Sequence, residues 1–469
     1  MPKLTFPKNF VWGVAASSYQ IEGAWNEDGK GLSIWDTFTH TPGKIANNEN
    51  GDLAVDHYHR WKDDIHLMAE LGLKAYRFST SWPRILPEGT GTVNQKGIAF
   101  YDRLVDELLR RSIEPYVCLY HWDLPQVIQD KGGWPNRDTA YYFTDYARVV
   151  AERLSDRVTY WITHNEPFVT AGAGYFSGEH APGIKDPVAA LKAGHHLLLS
   201  HGLASEAIRA VARQPVKIGI VLNLNPVHPA TDSKKDREAA KRFDTIQNRL
   251  FLEPLLLGTS PIQEIKLLKT IVGTVIKPGD LEKIHTLDLL GVDYYTRNVV
   301  RDDPKLPIIA ASDVHPEGNE YSGMWEIYPE GIYELLMRIW KDYFAGPNPP
   351  FPPSLSGKGG AGGIGQKPEI MVTENGVPVP DGLDFDGRVR DERRIRYLKN
   401  HIAQVHRAIT DGVPVKGYFH WSLMDNFEWA RGYAPRFGLV YVDYKTFKRT
   451  IKDSGRWFAD VVRNNGFEF

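Results

Sequence analysis

Residues 159–167 read TYWITHNEP, an apolar run rich in aromatic and β-branched side chains that ends on Asn165, Glu166 and Pro167. A short run of this kind reads as a buried strand with polar groups at its exit. Pro167 disfavours helical backbone at the residue before it, so Glu166 is expected to be extended. The same form recurs at 11–16, 75–79, 114–120, 217–222, 289–294, 369–373 and 415–420. Between these runs lie segments of helical period. In 52–71, Tyr58, Trp61, Ile65, Met68 and Leu71 recur at steps of three and four, as do Ile98, Tyr101, Leu104, Val105 and Leu108 in 97–111. Asp138 is expected to cap a third helix, with Phe143, Tyr146, Val150 and Leu154 on its buried stripe. Further helices are expected near 189–211, 237–256, 330–343, 391–410 and 446–463. Eight β-then-α units without a run of hairpins predict a parallel sheet, and eight strands close a barrel. The expected fold is therefore α/β, a (β/α)₈ TIM barrel forming one domain over 1–469, with a doubly wound open sheet as the structural alternative.

Length and composition agree with this. The chain has 469 residues, 42% hydrophobic and 24% charged, enough for a large core without staples. A formal net charge of −2 with no dense Lys/Arg block gives no footprint for nucleic acid or a membrane surface. The one cysteine, Cys118, has no internal disulfide partner and sits in an apolar run, where it reads as a small buried hydrophobe. The N-terminal MPKLTFPKNF has no apolar stretch of signal-peptide length, and no run approaches a membrane span; the expected location is cytoplasmic. Between 346 and 365, 12 of 20 residues are Gly or Pro, which predicts a surface loop on the helix-to-strand side, away from the chemistry. The 13 Trp stand out, because an indole face fills a core and also stacks on a sugar.

In such barrels the active site is built at the C-terminal ends of the strands. Those positions carry Ser18-Tyr19-Gln20, Arg77, His121-Trp122-Asp123, Asn165-Glu166, Tyr294-Tyr295, Glu374-Asn375-Gly376 and Trp421, with Asn426-Phe427-Glu428-Trp429 beyond. Glu166 and Glu374 follow apolar strands, so desolvation is expected to raise their pKa values. Gly376 is expected to permit a sharp turn after Glu374. Two Glu on strands four and seven would face each other across the barrel mouth, the pairing that hydrolysis of a glycosidic bond requires. Taken one at a time, either Glu could equally be a salt-bridged rim residue; the polar and aromatic groups at the other strand ends favour the site.

Beyond the residue types, FVWGVAASSYQIEGAWNEDGKGLSIWDTF from Phe10, FSTSWPRI from Phe78, HWDLPQ from His121, THNEP from Thr163, IMVTENGV from Ile370 and HWSLMDNFEWARGYAPRFGLVYVDY from His420 are specific motifs. On these the chain resembles glycoside hydrolase family 1, the β-glucosidase family, from Phe10 to about Asp460. The resemblance implies a retaining β-glycosidase, most simply a β-glucosidase acting on small β-glucosides or cello-oligosaccharides, with no metal or organic cofactor. It implies Glu166 as acid/base and Glu374 as nucleophile. Gln20, His121, Trp122, Asn165, Glu428 and Trp429 are implied to bind the glycone over Trp421 as a stacking floor. Arg77 and Tyr295 are implied to hydrogen-bond the nucleophile, with Trp325 beside the leaving group. Arg77 is expected to keep Glu374 ionised, and a charged Glu374 to keep Glu166 protonated. Glu428 argues against 6-phosphorylated sugars, because a carboxylate repels phosphate. An intact Glu166 argues against the thioglucosidase branch. β-Galactoside and β-fucoside side activities are expected.

The chain departs from the family pattern at Asp293, where Asn is usual and where an extra carboxylate could raise the pKa of Glu166; the 346–365 insertion is also long. Two other classes are weighed. A metal-dependent barrel hydrolase would use His57/His59 or His195/His196, but both pairs fall within helical patterns rather than at strand ends. A non-catalytic sugar-binding homologue would have lost a catalytic Glu, and both are present.

Overall fold

A computed structural model describes residues 3–265, 272–306, 308–323, 325–345 and 367–469. Eight parallel strands form a closed barrel: β1 Val11–Ala16, β2 Ala75–Ser79, β3 Glu114–Cys118, β4 Tyr160–Asn165, β5 Lys217–Asn223, β6 Leu289–Asp293, β7 Glu369–Glu374 and β8 Val415–Trp421. Each strand pairs with the next in sequence, and β8 closes on β1. All eight expected strands are present, and the open-sheet alternative is not the fold. Their apolar runs are continuous because both faces are covered, one by helices and one by the barrel interior.

The interior is filled by Ala75, Tyr116, Cys118, Ile162, Val221, Leu289, Met371 and Phe419, with Val11 packed against them. Large and small residues interlock here. A side chain at Gly13 would meet the Phe419 ring at 2.5 Å, so the ring takes the space the glycine leaves. Cys118 lies in this layer, and burial pushes its thiol up to about 11, the behaviour of a structural cysteine.

The helical layer is α1 His57–Glu70, α2 Gln95–Arg110, α3 Asp138–Leu154, α4 Pro187–Val211, α5 Lys234–Asp244, α6 Leu250–Leu257, α7 Glu330–Ile339, α8 Glu392–Thr410 and α9 Asp453–Asn464. The apolar stripes read from α1, α2 and α3 are buried. α4 starts on Asp186, whose carboxylate accepts from the N–H groups of Val188 and Ala189, with Pro187 at the first helical position. Asp138 is not a cap: it is the first helical residue of α3, and its N–H donates to the Asn136 side chain at 3.1 Å. The expected helix 237–256 is interrupted by a π-helical turn, Thr245–Arg249. The expected helix 446–463 begins only at Asp453, because Arg449–Ile451 pairs with Val440–Val442 as a hairpin. Other short antiparallel pieces lie in the long connections. They are Asn298–Asp302 with Ala311–Asp313 and Tyr321–Ser322 with Trp325–Glu326, both after β6. The Gly/Pro-rich stretch 346–365 lies outside the described residues. No helix among the described residues is long and apolar enough to cross a membrane.

Barrel register sets the site. Asn165 aligns with Val221, Asn223 with Asp293, and Asp293 with Glu374, so the exits of β4 to β7 come to one level.

Candidate active site

Glu166 and Glu374 are brought together as expected, and Asp293 lies with them: one oxygen from each of the three carboxyls is within 4.8 Å of the others. Relative exposures of 6% for Glu166, 3% for Glu374, 0% for Asp293 and 1% for Arg77 place all four charges away from bulk water. Glu166 is not extended. Its φ is +48° and ψ 68°, because the chain must turn from β4 into the short helix Pro167–Ala171 within one residue. Left-handed backbone makes that turn while still avoiding the right-handed region that Pro167 disfavours, and it places strain on the residue at the mouth. The Glu166 N–H is anchored on the Val221 carbonyl at 2.9 Å. Gly376 also acts differently from expectation. A Cβ there would lie 2.0 Å from the Trp421 carbonyl oxygen, so the glycine provides room for β8 rather than a special turn.

Glu374 is held at both oxygens. Arg77 Nη1 donates to Oε1 at 2.5 Å and the Tyr295 hydroxyl to Oε2 at 2.7 Å. As expected from its place at the end of an apolar strand, burial raises the Glu374 carboxyl above its ordinary value, with Arg77 and Tyr295 pulling it back. Glu166 is raised well above the usual range, first by burial, then by the charges of Asp293 and Glu374. Burial and then Glu374 raise Asp293 in the same way. Arg77 also donates through Nη2 to Asn165 Oδ1, while Asn165 Nδ2 meets His121 Nε2 at 3.1 Å. Burial and Arg77 hold His121 well below the usual imidazole range, so the ring is neutral and accepts from the amide.

The remaining predicted residues line the same mouth. Gln20 Nε2 donates to the Phe427 carbonyl at 2.8 Å and approaches Glu428 Oε2 at 3.4 Å, while its Oε1 accepts from Ser17. Burial and Glu374 push Glu428 up to about 8. Two aromatic walls form. Trp421 packs with Ala15, Phe437, Tyr295 and Trp325, and Trp325 stacks on Tyr295 at 4.8 Å. In the second, Trp429 packs on Trp122 at 4.6 Å and on His121 at 5.7 Å, and His121 also stacks on Trp421 at 5.7 Å, which joins the two. The Trp122 indole N–H donates to the Asn165 carbonyl at 2.9 Å.

Comparison with known proteins agrees with this arrangement. The sequence model for glycosyl hydrolase family 1 matches residues 2–349 and 365–467. The chain belongs to that family. It is 47% identical to β-glucosidase A of Acetivibrio thermocellus, over the full length of both. It is 43% identical to a bifunctional β-D-glucosidase/β-D-fucosidase of Bifidobacterium breve, over 98% of this chain and 99% of that one. A solved family 1 β-glucosidase from Thermotoga maritima superposes with a TM-score of 0.90 at 46% identity, each chain covered completely.

In this glycoside hydrolase of family 1 a further polar side chain, Asn223, reaches the level of the carboxyls. Asn223 ends β5 beside Asp293 in register, and its buried Oδ1 has no hydrogen-bond partner. It follows the apolar run 217–222 directly, the same sequence signal that marks the other strand ends. The histidine pairs are helical, as expected. In α1, His57 contacts Asp64 at 2.8 Å and His59 contacts Asp56 at 2.6 Å. In α4, His195 meets Asp280 at 2.8 Å and His196 the Trp134 carbonyl at 2.9 Å. Each ring is committed to a structural partner. The carboxyl trio is compact enough to enclose a cation, but Arg77 already supplies positive charge to Glu374 there.

Proposed function

We propose that this family 1 enzyme is a retaining β-glucosidase in which Glu374 is the nucleophile and Glu166 the acid/base, the whole chain acting as one catalytic domain. The observation that carries the reading is the separation of the two carboxyls. Oxygens within 4.8 Å suit the gap of about 5–5.5 Å used for double displacement, whereas inversion needs about 6.5–9.5 Å to admit a water. Glu374, fixed at both oxygens, attacks the anomeric carbon while Glu166 gives its proton to the departing oxygen. Glu166 then takes a proton from the water that hydrolyses the glycosyl-enzyme. Burial suits the first step, because it favours the protonated form of Glu166 that must give up a proton.

Substrates are small β-glucosides and cello-oligosaccharides with an uncharged glycone against the aromatic side chains of the mouth. The names of the Acetivibrio and Bifidobacterium relatives support glucoside and fucoside hydrolysis, and β-galactoside hydrolysis belongs to the same proposal. Gln20, His121, Asn165, Glu428 and Trp429 would hold the glycone hydroxyls, Trp421 its apolar face, and Trp325 the leaving group. The decisive test is proton NMR of the first sugar released from an aryl β-glucoside. β-Glucose appearing first is expected; α-glucose first would overturn double displacement.

A further inference from the structure

Asp293 is the carboxyl at the mouth to which the mechanism above gives no task. It closes β6 with no exposure, and the Thr373 hydroxyl donates to its Oδ1 at 2.6 Å. Its Oδ2 is buried and receives no hydrogen bond. An ionised oxygen left dry and unpaired is costly. The neighbouring carboxyl of Glu166 is within hydrogen-bonding reach of Asp293 and can donate to it when Glu166 carries its proton; Glu374, also within reach, is already engaged at both oxygens by Arg77 and Tyr295. Charge counting leads to the same pair. Arg77 is the cation in contact with the trio, and its hydrogen bonds go to Glu374 and Asn165. One guanidinium offsets one carboxylate, so Glu166 and Asp293 cannot both be ionised at low cost.

We propose that Asp293 is the acceptor for the acid proton of Glu166. The two side chains hold one proton between them, and Asp293 both orients Glu166 and keeps it protonated to higher pH than a lone glutamic acid allows. The proposal rests on Glu166 being the acid/base. Asp293 acts through Glu166, so it is a positioning residue. In the first step the proton leaves Glu166 for the departing oxygen, and Asp293 stays ionised. In the second step the Asp293 charge makes Glu166 a stronger base toward water. The raised Glu166 pKa agrees, with Asp293 its largest cause after burial. Other groups lie around the pair or around the Arg77 and Glu374 beside it. Arg77 comes from β2, Cys118 and the neutral His121 from β3 and its exit, and Asn165 from β4. Asn223 comes from β5, Tyr295 from the exit of β6, Glu374 from β7, and Glu428 from beyond β8. Of these, Arg77 lowers both members of the pair, and Glu374 raises both.

The test is Asp293→Asn in the full chain, which keeps the shape and the acceptor for Thr373. The kcat/KM for p-nitrophenyl β-glucoside is followed across pH. The alkaline limb is expected to move toward acid by about one pH unit or more, with cellobiose losing more activity than the aryl substrate above neutrality. A limb that coincides with that of the parent enzyme overturns the proposal. Glu166→Gln, measured alongside, separates this from the underlying reading. If the alkaline limb persists in Glu166→Gln, Glu166 is not the acid and the reading itself fails. If it vanishes there but stays in place in Asp293→Asn, only the role of Asp293 fails. Infrared titration of the unaltered enzyme needs no Asp293 variant. Its protonated-carboxyl band should disappear in two coupled steps, one of them missing in Glu166→Gln; independent titration at ordinary carboxyl values contradicts the pairing.

Discussion

Two buried charge clusters lie at this end of the barrel, and they are composed differently. Behind the site, Asp381, Asp391 and Asp425 meet Arg394, Arg436 and Lys452. Lys452 Nζ donates to Asp381 at 2.8 Å and to Asp425 at 2.7 Å, Arg394 to Asp381 at 2.8 Å, and Arg436 to Asp425 at 2.6 Å. Three acids face three bases. The cluster ties the start of α8, the segment after β8 and the entry to α9 into one unit, and so fixes the loop that carries Glu428 and Trp429. At the mouth, three acids face one guanidinium. A balanced cluster pairs its charges and holds structure together; in an unbalanced one burial and like charge favour the protonated carboxyl, the form that acid catalysis uses.

The contrast can be broken from either side. The largest effect is expected for Glu374→Gly, which removes the acid that Arg77 serves. The kcat should fall by about 10⁴-fold or more, and added azide should restore turnover with an α-glycosyl azide as product. A β-azide would contradict the nucleophile. Next, Glu166→Ala should slow substrates with poor leaving groups by about 10²- to 10⁴-fold while leaving activated aryl glucosides far less affected in glycosylation. Equal slowing would remove it as proton donor. In the balanced cluster, Asp425→Ala leaves Lys452 and Arg436 short of a partner. Urea unfolding should show a loss of about 3–5 kcal/mol, and an unchanged midpoint would mean that the cluster is not structural.

The smallest effect is on pH-dependent stability. Glu428 rises from 4.5 in the unfolded chain to about 8 in the folded one. Between those values the folded state binds more protons than the unfolded state, so stability falls as pH rises through that window. Glu428→Gln should flatten the decline by about 1–3 kcal/mol; parallel curves for the two proteins would mean that Glu428 does not carry the charge imbalance.

The balanced cluster was not legible in the sequence, although the barrel was. The strands declared themselves because burial on both faces makes each of them a continuous apolar run, as in Trp161 to Thr163 and Ile370 to Val372. The strand-end rule then located Glu166, Glu374, Arg77 and Tyr295, and the motifs suggested their roles. Lys452 gave no such signal. Its partners Asp425 and Asp381 lie 27 and 71 residues away, and a lone lysine before α9 looks like any surface cation. The helix expected from 446 was misplaced for a related reason: helical period says nothing about a hairpin partner at Val440–Val442.

The order of residues alone determined the eight strands, most of the helices between them and most of the polar side chains that leave each strand, since these follow from periodicity along the chain. Tertiary structure decided the rest. It set the left-handed turn at Glu166, the space that reserves position 376 for glycine, the hold of Arg77 and Tyr295 on both oxygens of Glu374, and the grouping of Asp293 with the two glutamates. The reason is that desolvation and Coulomb energies depend on every group within a few ångströms in space. The Arg77–Glu374 pair, 297 residues apart in the chain and 2.5 Å apart in the fold, exists only once the barrel has closed.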